Sequence, residues 1–467
     1  MQTTNNLDSK MEQSKGRRLI LCPLPFQGHI NPMLELANIL HAKGFSIAII
    51  HTNFNTLNPS TRNPNFTYHS IPVDLTETEA STKDLTVVLS ILNAKCVEPF
   101  RECLAELLSD GINSEYPIAC LISDPLFNFT RSVAESFKLP TIILRTGCAA
   151  SFAVYITFPL LKKKRLLTNT GSRLEEPVIE LSPIKARDLP TMPNCDAEDL
   201  YQLITNMVNE SKASYGLIFN TFEDLEGHAL ATIRQEYHPN IPIFPLGPFH
   251  KCGPTTSSSS SSLLAQDQSC ISWLNAQAPK SVVYVSFGSM AKIDQAQFLE
   301  IAWGLANSGQ PFLWVVRPGL VQGSDWLETL PDRFLKALNK RAHVVKWAPQ
   351  KEVLAHPAIG AFWTHCGWNS TLEGICEGVP MICTPCFGDQ MVNARYVSDV
   401  WKVGMQLEHG IERGEVERTI RRLMVEEEGE EIKDRALKLM EAANLCHKEG
   451  GSSCQFLDGL VQYALSL

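Results

Sequence analysis

The sequence predicts an α/β protein made of two doubly wound halves, each a parallel sheet covered by helices on both faces. Three observations lead there. At 467 residues the chain exceeds the roughly 250 to 300 residues at which a single hydrophobic core stops growing, so two domains are expected. Short apolar, β-branched runs recur, each followed by a helix-like stretch, the pattern of strands buried on both faces of a parallel sheet. Between the halves, residues 245–264 hold Gly247-Pro248, Gly253-Pro254 and the unbroken serines Ser257 to Ser262, a composition that reads as an interdomain linker.

In the first half, strands are expected at Leu19–Cys22, Ser46–His51, Phe66–Ile71, Ala119–Ser123, Thr141–Leu144 and Gly216–Asn220. In the second half they are expected at Val282–Phe287, Phe312–Val316, His343–Lys346, Ile359–Thr364, Met381–Cys383 and Val403–Leu407. The domains then run over residues 1–244 and 265–450, with a closing segment at 451–467. The acidic cluster Glu426 to Glu431 suits a solvated helix start, where carboxylates meet the positive end of the dipole.

Composition excludes several classes. The net charge is −9, and Lys162-Lys163-Lys164-Arg165 is the one short basic run, so no nucleic-acid partner is expected. Met1 to Lys15 is polar and carries both charge signs, unlike a signal peptide, and no stretch approaches the ~20 apolar residues of a membrane helix. A cytoplasmic protein with reduced cysteines and no membrane insertion is therefore expected, and a monomer. Cys383-Thr384-Pro385-Cys386 stands without the second pair or the histidines of a zinc site. Neither half carries G-x-G-x-x-G after its first strand, and no G-x-x-x-x-G-K-[ST] loop exists, which disfavours a nicotinamide oxidoreductase and an NTPase. No Asp-x-Asp pair exists to hold a divalent metal, so a bound diphosphate would be neutralised by protein groups and no metal cofactor is expected.

The richest segment is Trp347 to Gln390, reading WAPQKEVLAHPAIGAFWTHCGWNSTLEGICEGVPMICTPCFGDQ. Its strand, Ile359–Thr364, runs into His365-Cys366-Gly367-Trp368-Asn369-Ser370-Thr371 and then a helix. Backbone N–H groups and the positive dipole end at that helix start suit phosphate oxygens. His365, Asn369 and Ser370 add side-chain donors, Glu373 can accept from two vicinal ribose hydroxyls, and Trp347 offers a face for a base.

This string resembles, nearly residue for residue, the signature box of plant family 1 UDP-dependent glycosyltransferases, the secondary-product glucosyltransferases. The resemblance covers the whole chain and implies a GT-B architecture, two Rossmann-like domains facing across a cleft, the first binding the acceptor and the second the UDP-sugar, with a last helix near Phe456 to Ala464 crossing back to the first. It implies Trp347 at the uracil, Ala348 among the donor-binding residues, Gln350 at the ribose or uracil edge, Glu373 at the ribose, and His365, Asn369, Ser370 and Ser289 near the phosphates. The backbone of Trp368, together with Asp389 and Gln390, would hold the sugar hydroxyls, and Thr146 the donor sugar. Within the family the chain looks closest to the subgroup of cytokinin N-glucosyltransferases and steviol-glycoside glucosyltransferases.

Inverting transfer needs a base within reach of the acceptor hydroxyl. His29, in Pro25-Phe26-Gln27-Gly28-His29-Ile30-Asn31-Pro32, follows the first strand, where parallel sheets bind ligands. Gly28 is expected to permit a tight turn and Pro32 to lie in the first turn of the following helix. Asp124, closing the Cys120–Ser123 strand, is the candidate carboxylate to fix the imidazole tautomer, and the family's catalytic His and Asp fall on these two positions. An apolar acceptor pocket is expected from Phe54, Phe127, Phe152 and Phe387. The reading is an inverting glucosyltransferase that moves glucose from UDP-glucose to a hydroxyl or carboxyl of a small apolar metabolite such as a terpenoid, flavonoid or other phenolic. N-glucosylation of adenine cytokinins is the alternative, and a non-catalytic UDP-sugar-binding protein is the alternative of another class.

Overall fold

Leu19, Ile20, Leu21 and Cys22 are each no more than 1% exposed, because successive strand residues point to opposite faces and both faces are covered. Leu19 and Leu21 join one apolar cluster with Met33, Leu36, Ile47 and Ile49. Ile20 and Cys22 join another with Ala48, Ile50, Leu92 and Phe100. A continuous apolar run is therefore what a strand at the centre of a doubly covered sheet requires.

The computed structural model describes residues 16–55, 63–76, 79, 84–112, 116–167, 174–237, 241–252, 264–322, 341–407 and 410–467. The chain divides into two units, one bounded by Met1–Thr168, Met192–Leu263 and Leu445–Leu467, the other by Asn169–Thr191 and Leu264–Asn444. Gly253-Pro254 and Ser257 to Ser262 lie outside the described residues, as do Met1 to Lys15.

The first unit holds strands β1 (Arg18–Cys22), β2 (Ser46–Thr52), β3 (Thr67–Ile71), β4 (Ile118–Ser123), β5 (Thr141–Arg145), β6 (Gly216–Phe219) and β7 (Ile243–Pro245). They form one parallel sheet in the order β3-β2-β1-β4-β5-β6-β7. The second unit holds β8 (Val282–Ser286), β9 (Phe312–Val315), β10 (Ala342–Val345), β11 (Ile359–Thr364), β12 (Met381–Cys383) and β13 (Gly404–Gln406). Their order is β10-β9-β8-β11-β12-β13, again all parallel. Each expected strand is present within one or two residues of its expected bounds. Strand β7 was not expected, and Pro245, read as the start of the linker, is its last residue. A proline lacks the ladder N–H, and β7 admits it because it is an edge strand with one neighbour.

Five helices matter for the site: α1 (Gln27–Ala42), α2 (Ala149–Ile156), α3 (Trp368–Cys376), α4 (Gln390–Arg395) and α5 (Ser452–Ser466). Helix α1 begins five residues ahead of Pro32, which is thus inside the helix and beyond its first turn, contrary to expectation. The ring removes only the bond that residue 32 would make to the carbonyl four residues back. Gly28 is likewise helical, not a turn glycine, and an added Cβ there would meet nothing within 4 Å. Helix α5 completes the first unit's core, burying Leu460, Val461 and Ala464 in the cluster around β1. Full burial of a Leu or Val side chain contributes about 1.5 to 3 kcal/mol. The acidic cluster opens the helix Glu427–Leu445, with Glu427, Glu428 and Glu430 in its first turn.

In the second unit the pairing of β8 with β11 shifts register between Ile359 and Ala361, at Gly360. A Cβ at Gly360 would drive into the Lys280 backbone carbonyl. Gly360→Ala should therefore destabilise the second unit by about 1 to 3 kcal/mol, the usual cost of overpacking. Thermal unfolding followed by circular dichroism checks this, and an unchanged midpoint contradicts it.

Candidate active site

In the first sheet the strand order reverses between β1 and β4, so the chain leaving one carboxyl end departs to the opposite side from the chain leaving the other. Cys22 pairs in register with Ser123, which sets Asp124 and the segment leading to His29 side by side. His29 is the third residue of α1. Its Nδ1 lies 2.6 Å from Asp124 Oδ2, with the imidazole 25% exposed and the carboxylate 1%. Thr146 Oγ1 is 3.0 Å from the same nitrogen. A carboxylate oxygen accepts, so this contact suits the imidazole tautomer that carries its proton on Nδ1. Asp124 is itself held, its Oδ1 accepting the Leu126 N–H at 3.0 Å.

Thr146 sits between β5 and α2, and a residue that the sequence reading missed fixes that junction. Glu226, 2% exposed, accepts the N–H groups of Ala149 and Ala150 at 2.9 Å each. Its carboxylate thus serves as a remote cap for α2, where negative charge is favoured. Burial pushes its pKa up while those N–H donors oppose the shift. No local signal marks it, because it comes from another helix, Glu223–Tyr237, at a point where that helix departs from helical geometry.

Phe127 and Phe152 are 1% and 0% exposed. Phe127 packs at 5.3 Å on Phe129 within the apolar core, and Phe152 lies against Phe219 and under the Arg145 guanidinium. Both are core residues, so the expectation that they line an open acceptor pocket is corrected. Phe54 packs edge-on against Phe26, and Phe387 is half-buried in the loop before α4.

The second sheet repeats the reversal between β8 and β11, with Ser286 in register with Thr364. The turn after β8 carries Gly288 and Ser289, and the turn after β11 carries His365, Cys366 and Gly367 before α3. The His365 ring lies between two glycines: a Cβ at Gly288 or at Gly367 would come within 2.5 Å of it. Gly288 also has a positive φ of 66°, so glycine is required there twice over. Cys366 adopts a φ of 63°, a conformation rare for a side-chain-bearing residue. Its N–H donates to Thr364 Oγ1 at 3.1 Å and its carbonyl accepts from Asn393 Nδ2 at 2.8 Å. Asn393, missed by the sequence reading, also donates to Asp389 Oδ2 at 3.2 Å, tying the loop before α4 to the start of α3.

Gly367 is the cap residue of α3 and has no side chain with which to cap it. Within α3, Ser370 and Glu373 both accept from Gln350 Nε2, at 2.9 and 2.7 Å, while the Tyr284 hydroxyl donates to Gln350 Oε1 at 3.2 Å. Trp347 and Ala348 lie just ahead of Gln350, Trp347 half-buried and Ala348 buried. The indole of Trp368 is buried against Trp401, while Asn369 remains half-buried. Gln390 Oε1 accepts from the N–H groups of Cys386 and Phe387, at 2.8 and 3.1 Å, which fixes the orientation of its amide.

The segment Asn169–Thr191, which the sequence reading placed in the first half, belongs to the second unit. Asp188 takes Arg395 in a two-pronged pair at 2.8 and 3.0 Å, both side chains no more than 6% exposed. Thr191 O accepts the Gly388 N–H at 2.7 Å. The two links bracket Asp389 and α4, and neither is readable from the box alone.

Burial, with the nearby Arg317 charge, pulls the His365 pKa down to about 4. His365 is therefore neutral at pH 7. Its Nδ1 is buried without a hydrogen-bond partner. Between pH 6.5 and about 4 the unfolded chain binds a proton at this position that the folded chain does not, so stability falls as pH drops through that window. A His365→Asn variant should take up one proton fewer on unfolding there. Melting temperature against pH for both proteins checks this, and identical slopes contradict it.

Comparison with known proteins agrees with this geometry. Residues 19–441 match the family described as UDP-glucoronosyl and UDP-glucosyl transferase. The chain is 49% identical to UDP-glycosyltransferase 76B1 of Arabidopsis thaliana, over 96% of this chain and 98% of that one. It is 43% identical to an Arabidopsis thaliana flavonol 3-O-glucosyltransferase, over 98% and 99%. Among solved structures, UGT2 of Phytolacca americana complexed with UDP-2fluoro-glucose and pterostilbene aligns with a TM-score of 0.81 at 27% identity, over 96% of this chain and 99% of that one. UGT71G1 of Medicago truncatula complexed with UDP-glucose aligns with a TM-score of 0.79 at 25% identity, over 96% and 98%. No helix among the described residues is long and apolar enough to cross a membrane. The two reversal points, the pair at His29 and the helix start after His365 thus stand on a GT-B fold, and the chain belongs to the plant UDP-glycosyltransferase family.

Proposed function

We propose that this enzyme is an inverting, UDP-glucose-dependent glucosyltransferase that forms a β-glucoside on a hydroxyl, or a carboxyl, of a small apolar metabolite such as a terpenoid, flavonoid or other phenolic. The observation that carries the reading is the His29 Nδ1 to Asp124 Oδ2 bond of 2.6 Å beneath a partly exposed imidazole. His29 Nε2 takes the acceptor proton as the acceptor oxygen attacks the anomeric carbon. The bond from that carbon to UDP breaks on the opposite face, and UDP leaves with the electron pair. Asp124 stabilises the imidazolium that forms, as in other carboxylate-oriented bases. A relative named as a flavonol 3-O-glucosyltransferase and a structural neighbour bound to pterostilbene both favour a phenolic hydroxyl. We place the chain beside the cytokinin N-glucosyltransferases and steviol-glycoside glucosyltransferases, with His29 favouring an oxygen nucleophile.

In this reading the first unit takes the acceptor and the second unit takes the donor. Trp347 and Ala348 receive the uracil, Gln350 and Glu373 the ribose, and Ser289, His365, Asn369 and Ser370 the phosphates. The backbone of Trp368, with Thr146, Asp389 and Gln390, receives the glucose hydroxyls. His365 acts as a neutral hydrogen-bonding group. The start of α3 favours the diphosphate through its N–H groups and dipole.

His29→Ala should lower kcat by roughly 10² to 10⁴, with UDP affinity nearly unchanged because the donor groups lie in the other unit. Asp124→Asn should cost less, since it removes orientation and charge but no base. Turnover, UDP binding and melting temperature on one preparation decide: an active but less stable His29→Ala protein refutes the assignment. The donor is tested by UDP release in the presence of a chelator. Glucose should be preferred over galactose, because one mispaired buried hydroxyl at Gln390 costs about 1 to 3 kcal/mol, and activity should survive chelation. Equal kcat/KM for the two donors, or activity restored only by manganese or magnesium, contradicts this.

A further inference from the structure

Arg317 follows β9 and is 7% exposed. Its guanidinium donates to three backbone carbonyls, Gly288 through Nε at 2.8 Å, Pro318 through Nη1 at 3.2 Å, and Ala291 through Nη2. Gly288 and Ala291 bracket Ser289 and Met290, the turn that leaves β8 at the reversal point. Among the described residues no carboxylate pairs with this guanidinium. Such a burial is costly, because a charge taken from water is ordinarily compensated by an opposite one. Burial lowers the pKa of Arg317 only to about 10, so it stays cationic at neutral pH. Its field reaches the His365 ring, which it helps to hold neutral. That ring packs directly on Gly288 and Gly367, so the guanidinium stands one backbone layer behind the start of α3. The three carbonyls give each guanidinium nitrogen a partner, and among the described residues no carboxylate balances its charge.

We propose that Arg317 supplies the fixed positive charge that balances the donor diphosphate, acting as a positioning residue through the Gly288–Ala291 turn. The proposal rests on the UDP-sugar reading above. A cation buried behind the phosphate turn acts through a low-dielectric layer and is screened less than a surface lysine. Its preference is for charge on the phosphates, so it should favour the departing UDP and leave recognition of the nucleoside alone.

UDP and uridine differ only by the diphosphate, so titration calorimetry with each isolates the effect. Arg317→Gln should weaken UDP about tenfold or more and uridine less than twofold, a difference of ~1.4 kcal/mol per tenfold. Arg317→Lys keeps the charge and loses the fork, and should hold UDP within about threefold of the unmodified protein. Equal weakening of UDP and uridine, an unchanged UDP affinity in Arg317→Gln, or a loss in Arg317→Lys as large as in Arg317→Gln overturns the proposal. If Arg317→Gln is not recovered folded, Arg317→Lys decides: retained UDP and uridine binding supports the charge role, and their joint loss overturns it. An unmodified protein that binds neither UDP nor uridine defeats the underlying functional reading, before any variant is made.

Discussion

A parallel sheet whose strand order reverses must send two neighbouring chains away in opposite directions, and the rest of this structure depends on that constraint. It occurs once in each sheet, between β1 and β4 and between β8 and β11. In each case the register is fixed at the last residues, Cys22 with Ser123 and Ser286 with Thr364. Beyond those pairs lie His29 and Asp124 in one unit, Ser289 and His365 in the other. Apolar packing on both faces holds the strands, and the strands hold the site.

The two units handle charge differently. At His29 a buried carboxylate faces a partly exposed imidazole at 2.6 Å. At the start of α3 stand an N-cap glycine, a histidine kept neutral by burial and, behind the Gly288 turn, a guanidinium that donates to three backbone carbonyls. In a low-dielectric setting such an arrangement is unfavourable when empty and favourable toward an anion.

Remote segments hold both sites in shape. Glu226 fixes the start of α2 and with it the junction carrying Thr146. Asp188 and Thr191 hold Arg395 and Gly388 on either side of Asp389 and Gln390. Asn393 joins that loop to the turn after β11. Each link is a hydrogen bond or a two-pronged ion pair, interactions with strong directional demands, so each restricts the loop it touches more than apolar packing would.

The sequence by itself determined the strands, because burial on both faces leaves a run with few polar positions, and it singled out His29 and Asp124, which the structure sets 2.6 Å apart beyond strand ends. It misjudged Pro32 and Gly28, whose residue types fit a helix start as well as a helix interior. Strand β7 escaped it, since three residues ending in proline carry too little pattern, and Phe127 and Phe152 misled it, since an aromatic reads alike in a core and in a pocket. Only the tertiary structure decided the remainder. Asp188 pairs with a side chain 207 positions away, and Glu226, Asn393 and Arg317 act on backbone atoms tens of residues away. A contact of that kind leaves no periodicity in the chain, because its partner is a carbonyl or N–H group that every residue possesses.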